Sequence, residues 1–293
     1  MQMKLAACVI LYNPDESVVS NVLSYSNSVT KIWLIDNSDK TTSVFDLLLS
    51  NDKVEYIKLE QNFGIAYALN RACELALSEG FSWILTMDQD SSINESEFFP
   101  FLELNKNVAS MFAATFEGTK GRWTKRYNGV FDEIHFTITS GNVLSLDVWK
   151  SVGGFDDTLF IDEVDHDMCM KIRNKGGRIL TTRVPCLNHT VGVVMEENNV
   201  GKSKTRFRPQ PFRCYYQVRN SLIMINRYIF TQPRFAFNRV FKLMITFYRI
   251  LVYYPDKTKY FRFAGQGALD FITKKTGKLR LGAMQKLKVN NQT

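Results

Sequence analysis

Two aspartates separated by one residue, Asp88-Gln89-Asp90, follow a short apolar run, FSWILTM at 81–87. Carboxylates at that spacing on a turn can reach one hard cation whose other ligands are diphosphate oxygens, and magnesium or manganese suits such ligands. Asp is also an ordinary turn residue, so the pair by itself equally describes a solvated loop. Asp36 closes a second apolar run, KIWLIDN. A carboxylate there can accept hydrogen bonds from the imide or ribose of a pyrimidine nucleotide, or simply close an Asx turn. Further on, Asp162-Glu163-Val164-Asp165-His166-Asp167 places four acids in six positions. Like-charge repulsion makes that costly unless a cation or a reaction uses them. One of the four is suited to act as a general base, while an acid-rich first helical turn, favoured by the helix dipole, accounts for others in any case.

The elements that must hold these residues can be read from the apolar runs. LAACVILY, KIWLIDN and VEYIKL have strand length and alternate with helix-period stretches over 16–26 and from about 64 onward. Such alternation predicts a parallel α/β sheet. The run FSWILTM is its fourth strand, with a helix over 95–104 behind it, so the Asp-x-Asp sits at a strand's carboxyl end. Ligands of open α/β sheets bind in the crevice outside those ends. Between the third and fourth strands lies Asn62-Phe63-Gly64-Ile65-Ala66-Tyr67-Ala68-Leu69-Asn70, where Gly64 permits close backbone approach and the small Ala66 and Ala68 permit tight packing beneath a ligand. Beyond residue 107 strand-like segments over 108–116 and 134–146 predict an antiparallel second half, followed by a helix over 164–175. Four helix-length segments follow residue 202, including 212–228 and 234–254.

Composition bounds the functional class. The chain has 293 residues, enough for one large domain with an appendage or for two modest ones. Its net charge of +8 is unevenly spread: residues 1–201 hold 17 Lys and Arg against 27 Asp and Glu, while residues 202–293 hold 20 against 2. The acidic part suits a cation-centred site. The basic, aromatic-rich part suits phosphate groups or an anionic membrane face in preference to nucleic acid, although a solvated extension or a homodimer contact is also open. The expected domains are therefore 1–201 and 202–293. None of the later segments offers a charge-free apolar span of ~20 residues, which predicts no transmembrane helix. The opening run reads as a first strand, being too short for a secretory core. Five cysteines without a CxxC pair read as buried, reduced thiols, which predicts a cytoplasmic protein. No GxGxxG or GxxxxGK[ST] phosphate loop is present.

The ordered segments VILYNP, IDNS, NFGIAYALNRA, ILTMDQD, TSGNVLS, VGGFDDTLFIDEVDHDMCMKI and LNHTVG resemble the inverting family 2 glycosyltransferases, in particular their bacterial rhamnosyltransferase branch, over roughly residues 4–192. The resemblance implies a GT-A fold, an α/β, Rossmann-like mixed sheet flanked by helices, here with a basic helical C-terminal extension. It implies a nucleotide subsite at Tyr12, Asp36, Asn62, Gly64 and Asp88, and a Mn²⁺ or Mg²⁺ site at Asp88 and Asp90, with His189 completing it. Ser140, Gly141 and Asn142 would then lie near the donor sugar, with Gly154, Phe155 and Asp167 shaping the acceptor side. Asp165 aligns with the general base, Asp162 and Glu163 being the alternatives, whereas His135 and His166 read as structural or exposed. Two positions depart from the branch pattern, Met168 in place of tryptophan or leucine and Lys171 in place of arginine. The branch implies dTDP-rhamnose as donor, with UDP-galactose or UDP-glucose as alternatives. The acceptor would be a hydroxyl of a cell-surface polysaccharide or of a polyprenyl-diphosphate-linked precursor, met at the inner face of the cytoplasmic membrane. A catalytically silent nucleotide-sugar-binding protein is the competing class.

Overall fold

A computed structural model describes residues 4–40, 46–116, 125–126, 131–189, 194–197, 204–207 and 209–280. They form two compact units, the first spanning 1–157 and 164–190, the second 158–163 and 191–293.

The first unit begins with β1 (Leu5–Leu11), α1 (Ser17–Leu23), β2 (Lys31–Asp36), α2 (Asp46–Leu49), β3 (Val54–Lys58), α3 (Ile65–Ser78) and β4 (Trp83–Asp88). Every residue of β1 is buried, as expected for a strand covered on both faces. Next come β5 (Ser91–Ile93), α4 (Glu95–Asn105), β6 (Met111–Phe116), β7 (Lys125–Arg126), β8 (Asp132–Glu133), β9 (Asn142–Ser145), α5 (Leu146–Ser151), α6 (Val164–Asn174) and β10 (Ile179–His189). The sheet order is β3-β2-β1-β4-β9-β6-β10-β8-β7, with β5 pairing β10. Strands β3, β2, β1 and β4 are parallel. The sequence of strands leaves β1 in one direction and returns on its other side at β4, so a topological switch point lies between the carboxyl ends of β1 and β4. Beyond β4 the sheet turns mixed, because β9 runs antiparallel to both β4 and β6.

The strand expected over 134–146 is confined to β9. The chain before it is irregular because Gly141 takes φ +76° and Asn142 turns its side chain back onto the carbonyl of Ile138 and the hydroxyl of Thr137. A Cβ at Gly141 would also lie 2.9 Å from Cβ of Ala114, so only glycine fits between β6 and β9 here.

In the second unit, β11 (Val194–Glu197) and β12 (Lys204–Phe207) form a hairpin, followed by α7 (Pro211–Tyr228), α8 (Pro233–Tyr253) and α9 (Lys257–Ile272). Three helices stand among the described residues where the sequence suggested four segments; residues 281–293 lie outside them. The unit also takes in 158–163, a boundary that charge counting placed at 202. The cause is α7: buried Arg219 donates to the carbonyls of Thr158 and Leu159, and Asn220 donates to those of Leu159, Ile161 and Asp162. Phe160 stacks on Tyr216 with ring centroids 5.2 Å apart. Among the described residues no helix is long and apolar enough to cross a membrane. All five cysteines are free and buried, and burial pushes the thiols upward.

Candidate active site

The site is built at the switch point. Asp88 is the last residue of β4, and the turn behind it presents Asp90, whose side chain is 44% exposed. The intervening residue, which reads as a spacer, fastens the turn. The backbone N–H of Tyr12 donates to Oε1 of Gln89 at 2.7 Å, and Nε2 of Gln89 donates to the carbonyl of Tyr12 at 3.3 Å. Asn21 donates to the Gln89 carbonyl at 2.9 Å. The carboxyl ends of β1 and β4 are thereby tied together, and Tyr12 keeps its ring exposed.

His189 arrives from a strand ninety-eight residues away. Strand β10 pairs antiparallel with β5 in the register His189↔Ser91, which sets Nδ1 of His189 2.7 Å from Oγ of Ser91 and 3.4 Å from Oδ1 of Asp90. Ligand atoms of Asp88, Asp90 and His189 all lie within 4.8 Å of one another. The hydrogen bond with Asp90 raises the His189 pKa; partial burial opposes this, and the charges of Asp90 and Asp88 add to it. Two carboxylates and an imidazole are a donor set suited to a divalent ion such as Mn²⁺, which accepts both oxygen and nitrogen.

Asp36 is fully buried, an unexpected place for a residue meant to touch a nucleotide directly. Oδ1 accepts from the N–H of Ser38 at 2.9 Å, Oδ2 accepts from the hydroxyl of Tyr56 at 2.6 Å, and Lys58 lies 3.4 Å away. Burial pushes its pKa up, but the hydrogen bonds from Ser38 and Tyr56 and the Lys58 charge outweigh it, leaving the carboxyl below its ordinary value. The group therefore stabilises the fold at neutral pH, and that contribution vanishes as pH falls through the lowered pKa. Asp36→Asn is expected to cost about 2 kcal/mol at neutral pH. Urea midpoints compared across a pH series should show the gap between variant and parent closing below about pH 4. A gap that widened on acidification would contradict this assignment.

Ser38 passes the connection on, its hydroxyl accepting from the N–H of Asn13 at 2.7 Å. The neighbouring Asn37 accepts the N–H of Phe63 at 2.9 Å, and Asn62 accepts that of Gly64 at 3.0 Å. Gly64 takes φ +93° as the N-cap of α3, which carries no side-chain cap. The helix N-terminus following β3 thus opens at the carboxyl end of the sheet, where its unpaired N–H groups favour an anion.

Ser140 and Gly141 lie below this surface. Ser140 is wholly buried and accepts the backbone N–H of Asp88 at 3.1 Å, so it supports the end of β4 from beneath. Gly141 is occupied in packing and donates its N–H to the Thr86 carbonyl at 2.9 Å. Asn142 borders a small cavity together with Thr86, Thr139, Phe155, Met168 and Asp165.

The acidic cluster separates into three environments. Asp162 forms an ion pair with Arg213 at 2.6 Å, and buried Glu163 pairs with Arg239 at 3.1 Å and Lys242 at 3.5 Å, all within the second unit. Both alternatives to the base are thus committed to arginines. Asp167 has a fully buried side chain paired with Lys171 at 2.9 Å, one turn along α6, and so braces that helix. Lys171 also donates to the Gly154 carbonyl at 3.0 Å, which gives the departure from the branch pattern a structural task. Asp165 alone borders the cavity, with its side chain 21% exposed and Oδ1 2.8 Å from Nδ1 of His166.

The Gly153-Gly154-Phe155 turn is held by Asn70 of α3. Its Oδ1 accepts from the N–H of Phe155 at 2.8 Å and from Nε1 of Trp149 at 3.0 Å, while Nδ2 donates to the Phe155 carbonyl at 2.9 Å and to Asp157 at 2.7 Å. A Cβ on Gly154 would sit 2.9 Å from Oδ1 of Asn70. Burial lifts the Asp157 carboxyl above its usual value, against the hydrogen bond from Asn70. Asn70→Ala leaves the Phe155 N–H and the Trp149 indole without their acceptor, at about 1–3 kcal/mol per buried group. Urea unfolding is expected to show a loss of about 2–4 kcal/mol, and a loss below about 1 kcal/mol would remove Asn70 from this role. Gln89, Asn37 and Asn70 hold the site together through contacts with distant segments, and nothing in the sequence marks them beyond their place inside or beside the quoted motifs.

The family model for glycosyl transferase family 2 matches residues 8–160, just over half of the chain. The dTDP-rhamnosyl transferase RfbF of Shigella flexneri is 27% identical over 246 residues, 78% of this chain and 81% of that protein. Among solved structures, S. aureus TarS 1-349 in complex with UDP-GlcNAc aligns with a TM-score of 0.61 at 16% identity, covering 93% of this chain and 82% of that one. GalNAc-T7 with UDP, GalNAc and Mn²⁺ aligns with a TM-score of 0.53 at 13% identity, covering 62% of this chain and 42% of that one, so this chain spans less than half its length. These structures share the GT-A fold, a mixed sheet flanked by helices.

Proposed function

The chain belongs to glycosyl transferase family 2, and from that membership we propose that it is a metal-dependent, inverting rhamnosyltransferase. Its donor is dTDP-rhamnose and its acceptor a hydroxyl of a surface polysaccharide or of a polyprenyl-diphosphate-linked precursor. The convergence of Asp88, Asp90 and His189 within 4.8 Å at the switch point carries this reading, and the likeness to RfbF supports the choice of donor.

Asp88, Asp90 and His189 would hold a divalent cation, Mn²⁺ or Mg²⁺. Bound there, the ion offsets negative charge on the departing nucleoside diphosphate. The α3 N-terminus adds its partial positive charge on the same side of the sheet. Asp165 takes the proton of the acceptor hydroxyl as that oxygen bonds to the anomeric carbon. The bond from that carbon to the diphosphate breaks in the same displacement, so configuration inverts and no covalent enzyme intermediate forms. Gln89 and Ser140 keep the metal-side carboxylates in place, and Asn70 and Lys171 do the same for the Gly154–Phe155 turn, an arrangement that lowers the reorganisation needed on the way to the transition state.

The reading is tested with dTDP-rhamnose, UDP-galactose, UDP-glucose and UDP-GlcNAc, each with Mn²⁺ or Mg²⁺, following thermal stabilisation and nucleoside diphosphate release. The expected result is cation-dependent stabilisation greatest with dTDP-rhamnose, and release of dTDP that rises with acceptor. A larger response to a UDP-sugar would overturn the donor assignment. Binding without any release would indicate a silent sugar-nucleotide-binding protein.

A further inference from the structure

Helix α8 has two apolar faces. One carries Phe235, Ala236 and Ile250 into the core of the second unit. On the opposite face, where a helix on a globular protein ordinarily turns polar, stand Phe237, Phe241, Met244, Tyr248 and Leu251. These side chains repeat at helical spacing and are between 55% and 70% exposed. Phe230, in the turn that leads into the helix, is 93% exposed. Aromatic and long apolar side chains in one exposed row are not scattered surface residues; a contiguous patch of this kind marks a contact.

Charge identifies what the row contacts. Arg234 and Arg249 are exposed on α8 itself, and Lys257 and Lys259 are exposed at the start of α9. That helix is joined to α8 by stacking of Phe247 on Phe261, with centroids 6.1 Å apart. Residues 202–293 carry 20 basic groups against 2 acidic ones. Two copies meeting through this face would bring like charges together, which opposes a homodimer. Nucleic acid would meet the charge but leave the apolar row without a partner. A surface that is anionic outside and apolar just beneath satisfies both. We propose that α8 lies in the interface of an anionic lipid bilayer, its Phe237–Leu251 row inserted among the acyl chains and its arginines, with the lysines of α9, at the headgroups. This surface uses none of the residues of the proposed transfer site, and it is tested without turnover.

The full-length protein is mixed with vesicles of phosphatidylcholine alone or of equal parts phosphatidylcholine and phosphatidylglycerol, and floated through a density gradient. Flotation is expected with the mixed vesicles, weakening with salt, and little with the neutral ones. Replacing Phe241 and Met244 together with Ser is expected to reduce vesicle affinity about tenfold or more, because about 1.4 kcal/mol of lost apolar insertion is already a factor of ten. Arg249→Glu, at an exposed position that leaves the core untouched, is expected to reduce binding to mixed vesicles only. Unchanged melting temperatures separate these effects from misfolding. The proposal is overturned if the parent protein stays with the soluble fraction, if both variants float like the parent, or if light scattering shows a dimer that the Phe241/Met244 variant loses.

Discussion

Asp165→Asn is expected to lower kcat by about 10²–10⁴-fold, the usual contribution of a positioned base, while leaving cation-dependent donor binding intact. The expectation rests on separate environments for four neighbouring acids. Asp162 and Glu163 are neutralised by Arg213, Arg239 and Lys242, and Asp167 is sealed against Lys171. Asp165 has a partly exposed side chain beside a cavity that also contains Thr86, Thr139 and Asn142. Thr86 lies two residues before Asp88, and the segment 139–142 contains Ser140, which holds the Asp88 backbone. Asp165, as the proposed base, and Asp88, on the proposed diphosphate side, are therefore linked through one short stretch of chain. The measurements are kcat with saturating donor and donor-dependent thermal stabilisation in the presence of Mn²⁺. Retained turnover would displace Asp165 from the base role, and lost donor binding would make it part of the donor site.

Asp90→Ala is expected to abolish cation-dependent donor binding and to lower kcat/KM about a thousandfold or more, since Lewis-acid stabilisation of a leaving group is worth several kcal/mol. Chelating the cation from the parent enzyme is expected to have the same effect, and adding Mn²⁺ back should rescue the parent but not the variant. The fold should barely notice the change, because the side chain is nearly half exposed and surface substitutions typically stay within about ±0.5 kcal/mol. Thermal unfolding of the free variant, titration of Mn²⁺ with donor present, and initial rates together read the outcome. A variant as active as its parent, with the same response to chelation, would show that the cluster of Asp88, Asp90 and His189 is not the cation site.

Much of the architecture was legible in local chemistry. Strand-length apolar runs alternating with helical periods announce a parallel sheet. The run ending at Asp88 is apolar because β4 is buried on both faces, and acids at its end are tolerable because the carboxyl edge of the sheet is open. The excess of Lys and Arg after residue 202 likewise marked a unit of different character. Composition could not locate its boundary, because the capture of 158–163 depends on Arg219 and Asn220 meeting carbonyls about sixty residues away. Asp88, Asp90 and Asp165 stood out from spacing and resemblance alone. The place of His189 beside Asp90 was implied by the resemblance and by no local pattern, because it arises from the antiparallel register of β5 with β10. The same limit applies to Asp36 and Asp167, whose residue types suggest contact with substrate. Only packing shows that Tyr56, Ser38 and Lys58 enclose the first and that Lys171 encloses the second. Residue type and spacing determine which groups can bind a cation or move a proton. Which of them face solvent, and which are used up holding the chain together, is decided by contacts between segments distant in sequence, because burial and hydrogen-bond partners are properties of the folded chain.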